Sequence, residues 1–141
     1  MWKILSSLRK PWIDLDFSMR KSVRIRILER PGLWMTEDET RALVTELRDV
    51  VGALDKGSLE YGACSGSQEA LDRSILTILY DHKTGRPIAF NALAVMDCTL
   101  RGQPVEVLHL GLVVVDPTVQ ARGFSWVLYG LTTFLLFFKR R

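Results

Sequence analysis

Apolar residues recur at every second position along several stretches of the chain, and this period of two predicts β-strands. Four runs have the pattern or composition of strands, namely residues 22–30, 74–80, 87–96 and 105–115. Turn-forming residues at 81–86 and at 101–104 separate the last three runs, so we expect two consecutive hairpins. Residues 105–115 are followed by Asp116-Pro117, which cannot continue a central strand.

The spacing of apolar residues changes to three and four positions after residue 36, which predicts an amphipathic helix. Its apolar positions are Leu43, Leu47, Val50, Val51 and Leu54. Thr36 is a typical N-cap, and Glu39 stands where a capping box needs its partner. Glu37 and Asp38 suit the positive first turn, so helix-start chemistry explains this acidic cluster without a metal site. Residues 55–73 are Gly/Ser-rich and read as a loop with a short helical turn at 68–71.

The last third of the chain combines a strand, a glycine-containing loop and a helix. Residues 120–125 are a polar loop, and residues 126–138 form an apolar run too long for an ordinary strand. The first backbone N–H groups of a helix lack intrahelical partners and carry partial positive charge, which makes a helix start an anion site. Gly123 would let the backbone approach a phosphate closely.

At these residues the chain resembles the GNAT superfamily of N-acetyltransferases. The resemblance is carried by the valine-rich strand, the turn Val115-Asp116-Pro117 and the loop Gln120-Ala121-Arg122-Gly123-Phe124-Ser125, with Ser125 where the family usually has glycine or alanine. It implies an α/β (α+β) fold with a mixed, mostly antiparallel sheet flanked by helices. It also implies acetyl-coenzyme A (acyl-coenzyme A) as co-substrate. Val113, Val114 and Val115 would line the pantetheine arm, and Gln120, Ala121, Arg122, Gly123, Phe124 and Ser125 would hold the phosphates.

The resemblance implies transfer of an acyl group from coenzyme A to the amine of a small molecule or a protein. The amine must lose a proton before it attacks, and His109 and Glu106 are the candidate general bases on the strand before the loop. In a regular strand His109 would share a face with Val113 and Val115, whereas Glu106 would lie on the other. Gly111 within the strand predicts a β-bulge. Tyr61, Cys64 and Ser65 are candidate residues of the acceptor cleft.

The chain departs from the family after the phosphate-binding helix. The family continues with further strands and a helix, whereas this sequence stops at Arg141. We therefore divide it into a basic N-terminal extension, residues 1–21, and a GNAT-like domain, residues 22–141, that lacks the C-terminal strands. A helix that is apolar on every side is normally buried on every side. We therefore expect a second copy or a partner chain to cover residues 126–138.

Two other functions remain open on the sequence. One is a catalytically inactive remnant that binds coenzyme A or a partner. The other is a membrane-surface protein that uses residues 1–12 and 126–138. Residues 1–12 place Trp2, Ile4, Leu5 and Leu8 near one another on a helix among basic residues. An N-terminal extension that packs its tryptophans on the domain would explain the same residues.

The amino-acid composition excludes some partners and cofactors. The 141 residues carry a net charge of +3 and show no nucleic-acid-binding module, so we expect no nucleic-acid partner. Cys64 and Cys98 form neither a disulfide framework nor a zinc motif, and His82 and His109 are too few for a histidine metal cluster. We therefore expect no metal ion. We also expect a cytoplasmic location, with peripheral contact to a membrane as the alternative.

Overall fold

The computed structural model describes residues 11–19, 22–54, 59–120 and 122–139. Within them, one antiparallel sheet has the strand order β1 (Asp14–Met19), β2 (Val23–Glu29), β3 (Ser74–Asp81), β4 (Pro87–Leu100) and β5 (Gln103–Val115). The described helices are α1 (Glu37–Gly52), α2 (Gln68–Asp72) and α3 (Phe124–Lys139), with short 3-10 turns between elements. An antiparallel sheet flanked by helices confirms the fold class predicted from the sequence.

The two predicted hairpins are present, and the second is longer than expected. Leu100 pairs with Gln103, so Arg101 and Gly102 alone form the turn, with φ angles of 51° and 77°. Left-handed conformations at both central residues belong to the tight turn that matches the twist of two antiparallel strands. β4 and β5 therefore extend beyond the predicted bounds, and their far ends are exposed.

The edge strand β1 was missed by the sequence analysis, which placed its residues in the N-terminal extension. β1 pairs with β2 in antiparallel register, from Asp14 opposite Leu28 to Met19 opposite Val23. Leu15 is buried, and Phe17 and Met19 pack against the same core. A period of two was thus readable here. Of the amphipathic segment predicted at residues 1–12, residues 1–10 lie outside the described residues.

Helix α1 begins as its sequence predicts. The Thr36 side chain accepts a hydrogen bond from the Glu39 N–H, and the Glu39 carboxylate accepts one from the Thr36 N–H at 2.7 Å. The bond from the Thr36 N–H, together with one from the Thr36 hydroxyl to the same carboxylate, lowers the pKa of Glu39 below its usual value. The apolar face of α1, including Leu43 and Leu47, packs on one side of the sheet against Ile78, Tyr80 and other buried residues.

Helix α3 packs on the opposite side of the sheet. Phe124, Leu128, Leu135 and Leu136 are buried there with residues of β2, β3 and β4. The helix begins two residues earlier than predicted, so Phe124 and Ser125 belong to its first turn rather than to the loop. Its other side faces outward. The structure therefore buries one side of this apolar helix, whereas the sequence predicted burial on all sides.

A buried polar cluster fixes α3 to the centre of the sheet. The side chain of Asn91 donates to the carbonyl of Leu128 at 2.9 Å and accepts from the N–H of Thr77 at 3.1 Å. The Thr77 and Thr132 hydroxyls hydrogen-bond at 2.5 Å, and the three side chains are fully buried. Because each group has a partner, the cluster sets where α3 lies without leaving a buried polar atom unpaired.

Candidate functional site

Strand β5 carries a bulge at Gly111. Ala92 pairs with Leu112 and Ala94 with His109, so two residues of β5, Leu110 and Gly111, lie opposite one residue of β4. A β carbon on Gly111 would lie 2.6 Å from the carbonyl oxygen of Ala92, closer than such atoms approach. The bulge that the sequence predicted is therefore present, and it requires glycine. A bulge bends the strand and redirects the residues beside it.

The bulge reverses the alternation of side chains along β5. After it, Val113 and Val115 pack on the side of α3, whereas Val114 is buried on the side of α1. Before it, Leu108 packs on the side of α3, so its neighbour His109 lies on the side of α1. The expectation that His109 shares a face with Val113 and Val115 is therefore wrong, because it assumed a regular strand.

The backbone of β5 is open along the edge of the described sheet. The N–H of Asp116 donates to the carbonyl of Ile88 at 2.8 Å, which makes these residues a hydrogen-bonded pair. Because such pairs alternate, Val114 also bonds to β4, whereas Val113 and Val115 direct their N–H and C=O groups to the open edge. The Gln120 side chain donates to the Val115 carbonyl at 3.3 Å, which is consistent with this direction.

Asp116 fixes the direction in which the chain leaves β5. Its buried carboxylate accepts hydrogen bonds from the hydroxyl and the N–H of Thr118, at 2.7 and 2.9 Å. Arg86 lies 3.1 Å from its other oxygen. The hydrogen bonds from Thr118 and the charge of Arg86 hold the pKa of Asp116 below its usual value. The turn that begins at Pro117 is thereby held against the sheet, and the loop that follows starts from a fixed point.

The loop reaches α3 through Gly123, whose φ of 73° is in the left-handed region. A β carbon at Gly123 would meet no atom within 4 Å, so the backbone conformation is what requires glycine. Phe124 is buried and anchors the helix start, while Arg122 and Ser125 are exposed beside it. Ala121 lies outside the described residues. The exposed cation and the unpaired N–H groups of the first helical turn form a candidate anion site.

A cleft of about 710 Å³ lies beside the bulge, on the side of α1 and α2. His109, Tyr61 and Ser65 line it, so these three candidates come together in the structure. Cys64 does not line it, because its side chain is fully buried and burial raises the pKa of the thiol. Glu106 also lies away from the cleft lining and forms an ion pair with Arg30.

Three carboxylates of this cleft were missed by the sequence analysis. Glu60, Glu69 and Asp97 line it, together with Arg73. Asp97 is paired with Arg73 at 3.0 Å, whereas Glu60 and Glu69 form no hydrogen bond or ion pair with the described part of the chain. The cleft therefore carries an excess of negative charge. In the described residues, no group of three or more His, Cys, Asp or Glu side chains could hold a metal ion.

The fold is similar to solved acetyltransferases, although no protein-family model and no curated protein sequence matches the chain. An acetyltransferase of Trypanosoma brucei superposes with a TM-score of 0.50 at 18% identity, covering 83% of this chain and 76% of that chain. A possible acetyltransferase of Clostridium difficile 630 gives a TM-score of 0.46 at 9% identity, covering 82% and 71%. The first of these superpositions shows that the chain shares the fold of a solved acetyltransferase, in agreement with the fold that the sequence resemblance implied.

Proposed function

We propose that the chain is an N-acyltransferase domain that binds acyl-coenzyme A and transfers the acyl group to an amine. The observation that carries this proposal is the continuous path from the open edge of β5 to the start of α3. Val113 and Val115 offer backbone donors and acceptors along that edge, and the pantetheine arm would pair with them as an added strand does. Arg122, Gly123 and the first turn of α3 would then hold the phosphates.

The cleft beside the bulge supplies the acceptor site in this proposal. Glu60 and Glu69 would attract the ammonium form of the acceptor, since an unpaired carboxylate favours a cation in a cleft. The amine attacks only after it loses a proton, and His109 is the cleft-lining side chain best suited to take that proton near neutral pH. The N–H groups at the β5 edge would polarise the thioester carbonyl as negative charge develops on its oxygen.

A second candidate function is coenzyme A binding without turnover. The described residues include no strand on the open side of β5, so the thioester would have one wall of a slot and not two. They also place Tyr129 in the middle of α3, where it lines a groove along that helix, so it is poorly placed to protonate the leaving thiolate. Binding needs the edge and the phosphate loop alone, whereas turnover needs the acceptor and the thioester to be held together.

One pair of measurements separates the two functions on the intact chain. Calorimetric titration with coenzyme A reports binding, and release of free thiol from acetyl-coenzyme A in the presence of a panel of amines reports turnover. Binding with amine-dependent thiol release supports the transferase. Binding without thiol release supports the second candidate, and absence of binding contradicts both.

A further inference from the structure

The outward side of α3 carries a stripe of exposed aromatic side chains. Trp126 is 79% exposed, Phe134 59%, and Phe137 and Phe138 54% each. They line or adjoin an apolar groove of about 740 Å³ along the helix. Gly130 forms part of its floor, where the ring of Trp126 lies in van der Waals contact with the position that a β carbon would take. The opposite side of the same helix is buried in the core, so the stripe points away from the sheet.

The helix and the residues next to it in the sequence carry charged groups of one sign. Residues 117–141 contain no aspartate or glutamate, and their four basic residues, Arg122, Lys139, Arg140 and Arg141, lie at the two ends of the helix sequence. Arg122 is exposed, whereas Lys139 is paired with Glu29. Tryptophan and phenylalanine side chains combined with basic residues recur in helices that lie in the interface of an anionic bilayer.

The same charges disfavour a second copy of the chain as the occupant. In an antiparallel pairing of two α3 helices, Arg122 would approach the end of the other helix, which basic residues follow in the sequence. In a parallel pairing, each basic end would approach its equivalent. Residues 117–141 offer no acidic side chain to either arrangement. Like charges brought together oppose association, whereas an anionic surface complements both ends of the helix at once.

We propose that the outward side of α3 docks on an anionic lipid surface, with Trp126, Phe134 and Phe137 entering the headgroup region. No helix among the described residues is long and apolar enough to cross a membrane, so the helix would lie along the surface. This proposal uses a different side of α3 from the one that packs on the sheet. It does not depend on acyl transfer.

Flotation of the full chain with lipid vesicles tests the proposal. The vesicles are phosphatidylcholine alone or phosphatidylcholine mixed with phosphatidylserine, each at low and high salt. We expect flotation with the mixed vesicles at low salt, and weaker flotation at high salt because salt screens the arginines. The double variant Trp126→Ser, Phe134→Ser should reduce the partition coefficient by about tenfold or more, since binding scales with the apolar area that enters the interface.

A matched control variant changes exposed leucines elsewhere. Leu33 and Leu100 are 47% and 62% exposed, and Leu33→Ser with Leu100→Ser should leave flotation unchanged. Circular dichroism confirms that both double variants remain folded. The proposal is overturned if the wild type does not float, if it floats equally with neutral vesicles, or if the two double variants behave alike. It is also overturned if light scattering shows a stable dimer that Trp126→Ser, Phe134→Ser converts to a monomer.

Discussion

Gly111 of β5 and Ala92 of β4 approach each other too closely to admit a side chain between them. A β carbon on Gly111 would lie 2.6 Å from the Ala92 carbonyl oxygen, which is a backbone atom and cannot rotate away. The contact accompanies a bulge that places His109 on the cleft side of the sheet and leaves the backbone of Val113 and Val115 at the open edge. One glycine thus positions both halves of the proposed site.

The variant Gly111→Ala tests this relationship. We expect it to lower the free energy of unfolding by about 1–3 kcal/mol, because the added methyl group forces the backbone of β4 and β5 apart. Chemical denaturation measures the loss. Gly52 is the control, since a β carbon there meets no atom within 4 Å, and Gly52→Ala at the end of α1 should leave stability unchanged or raise it by up to about 1 kcal/mol. Equal stability of Gly111→Ala and wild type would contradict the close approach of Gly111 to the Ala92 carbonyl.

The second prediction concerns the buried hydroxyls that join α3 to the sheet. Thr132→Val removes the partner of the Thr77 hydroxyl in a fully buried place. The cost should be about 1–3 kcal/mol, the usual penalty of an unsatisfied buried polar group. Thr132 also donates to the carbonyl of Leu128, one helical turn earlier. Thr45 makes the equivalent bond within α1, to the carbonyl of Arg41, but is exposed, so Thr45→Val should cost less than about 0.5 kcal/mol.

The double variant Thr77→Val, Thr132→Val sharpens this test. Replacing both partners leaves no unsatisfied hydroxyl. The double variant should therefore lose less free energy of unfolding than the two single variants lose in sum. Strict additivity in a double-mutant cycle would show that the two hydroxyls do not interact.

The third prediction concerns the ion pair that holds the C-terminal end of α3. Lys139 pairs with the buried carboxylate of Glu29 and donates to the Pro11 carbonyl at 2.6 Å. Lys139→Met keeps an unbranched apolar stem of nearly the same length but leaves Glu29 with the Ile13 N–H as its remaining partner. A buried charge that loses its partner costs about 3–5 kcal/mol, which thermal and chemical denaturation would show.

An exposed ion pair provides the control for Lys139. Arg41 contacts Glu37 at 2.7 Å and Asp38 at 3.1 Å on the surface of α1, and Arg41→Met should cost less than about 1 kcal/mol. A similar loss in the two variants would mean that the position of Glu29 is less buried in solution than in the structure.

Where local chemistry decides the structure, the sequence was sufficient. Thr36 and Glu39 define the start of α1 within four residues, and Gly111 in an otherwise apolar strand indicated the bulge. The strand, the loop with Gly123 and the helix after it follow one another directly in the sequence. Their order along the chain therefore also determines that the three elements lie side by side in the structure.

The sequence was insufficient where distant segments meet. Glu60 and Glu69 belong to residues 55–73, a stretch without periodicity in the sequence. Contacts such as that of Arg48 with the carbonyls of Cys64 and Ser65, at 2.9 and 3.1 Å, hold part of this stretch in place. These contacts cross 16 and 17 positions of the chain and leave no local pattern. The face of His109 was mistaken for a related reason, since it depends on the register with β4. β1 was missed although its alternation was readable, because the adjoining residues suggested an extension.

The fourth prediction concerns His109 as the general base. If the chain transfers acyl groups, His109→Gln should lower kcat by about 10²–10⁴-fold, the usual contribution of a positioned base. The Kd of coenzyme A should stay unchanged, because His109 lies in the acceptor cleft and not at the phosphate loop. His82, exposed in the turn between β3 and β4, is the control, and His82→Gln should keep the wild-type kcat. An unchanged kcat in His109→Gln would remove this residue from the mechanism.

The fifth prediction tests the central claim, that coenzyme A binds where the β5 edge meets the start of α3. Gly123 and Gly85 have nearly the same conformation, with φ of 73° and 70°, and a β carbon at either would meet no atom within 4 Å. Replacing each by aspartate therefore adds equal strain and equal charge, but Gly123→Asp alone places a carboxylate and its bulk at the proposed phosphate site.

Calorimetric titration of the wild type and these two variants with coenzyme A is the most direct measurement. We predict that the wild type binds, that Gly85→Asp keeps the wild-type Kd, and that Gly123→Asp raises the Kd by about tenfold or more, since the carboxylate repels the phosphates at a helix start that otherwise attracts them. Equal affinity of wild type and Gly123→Asp, or the same loss in both variants, would contradict the account.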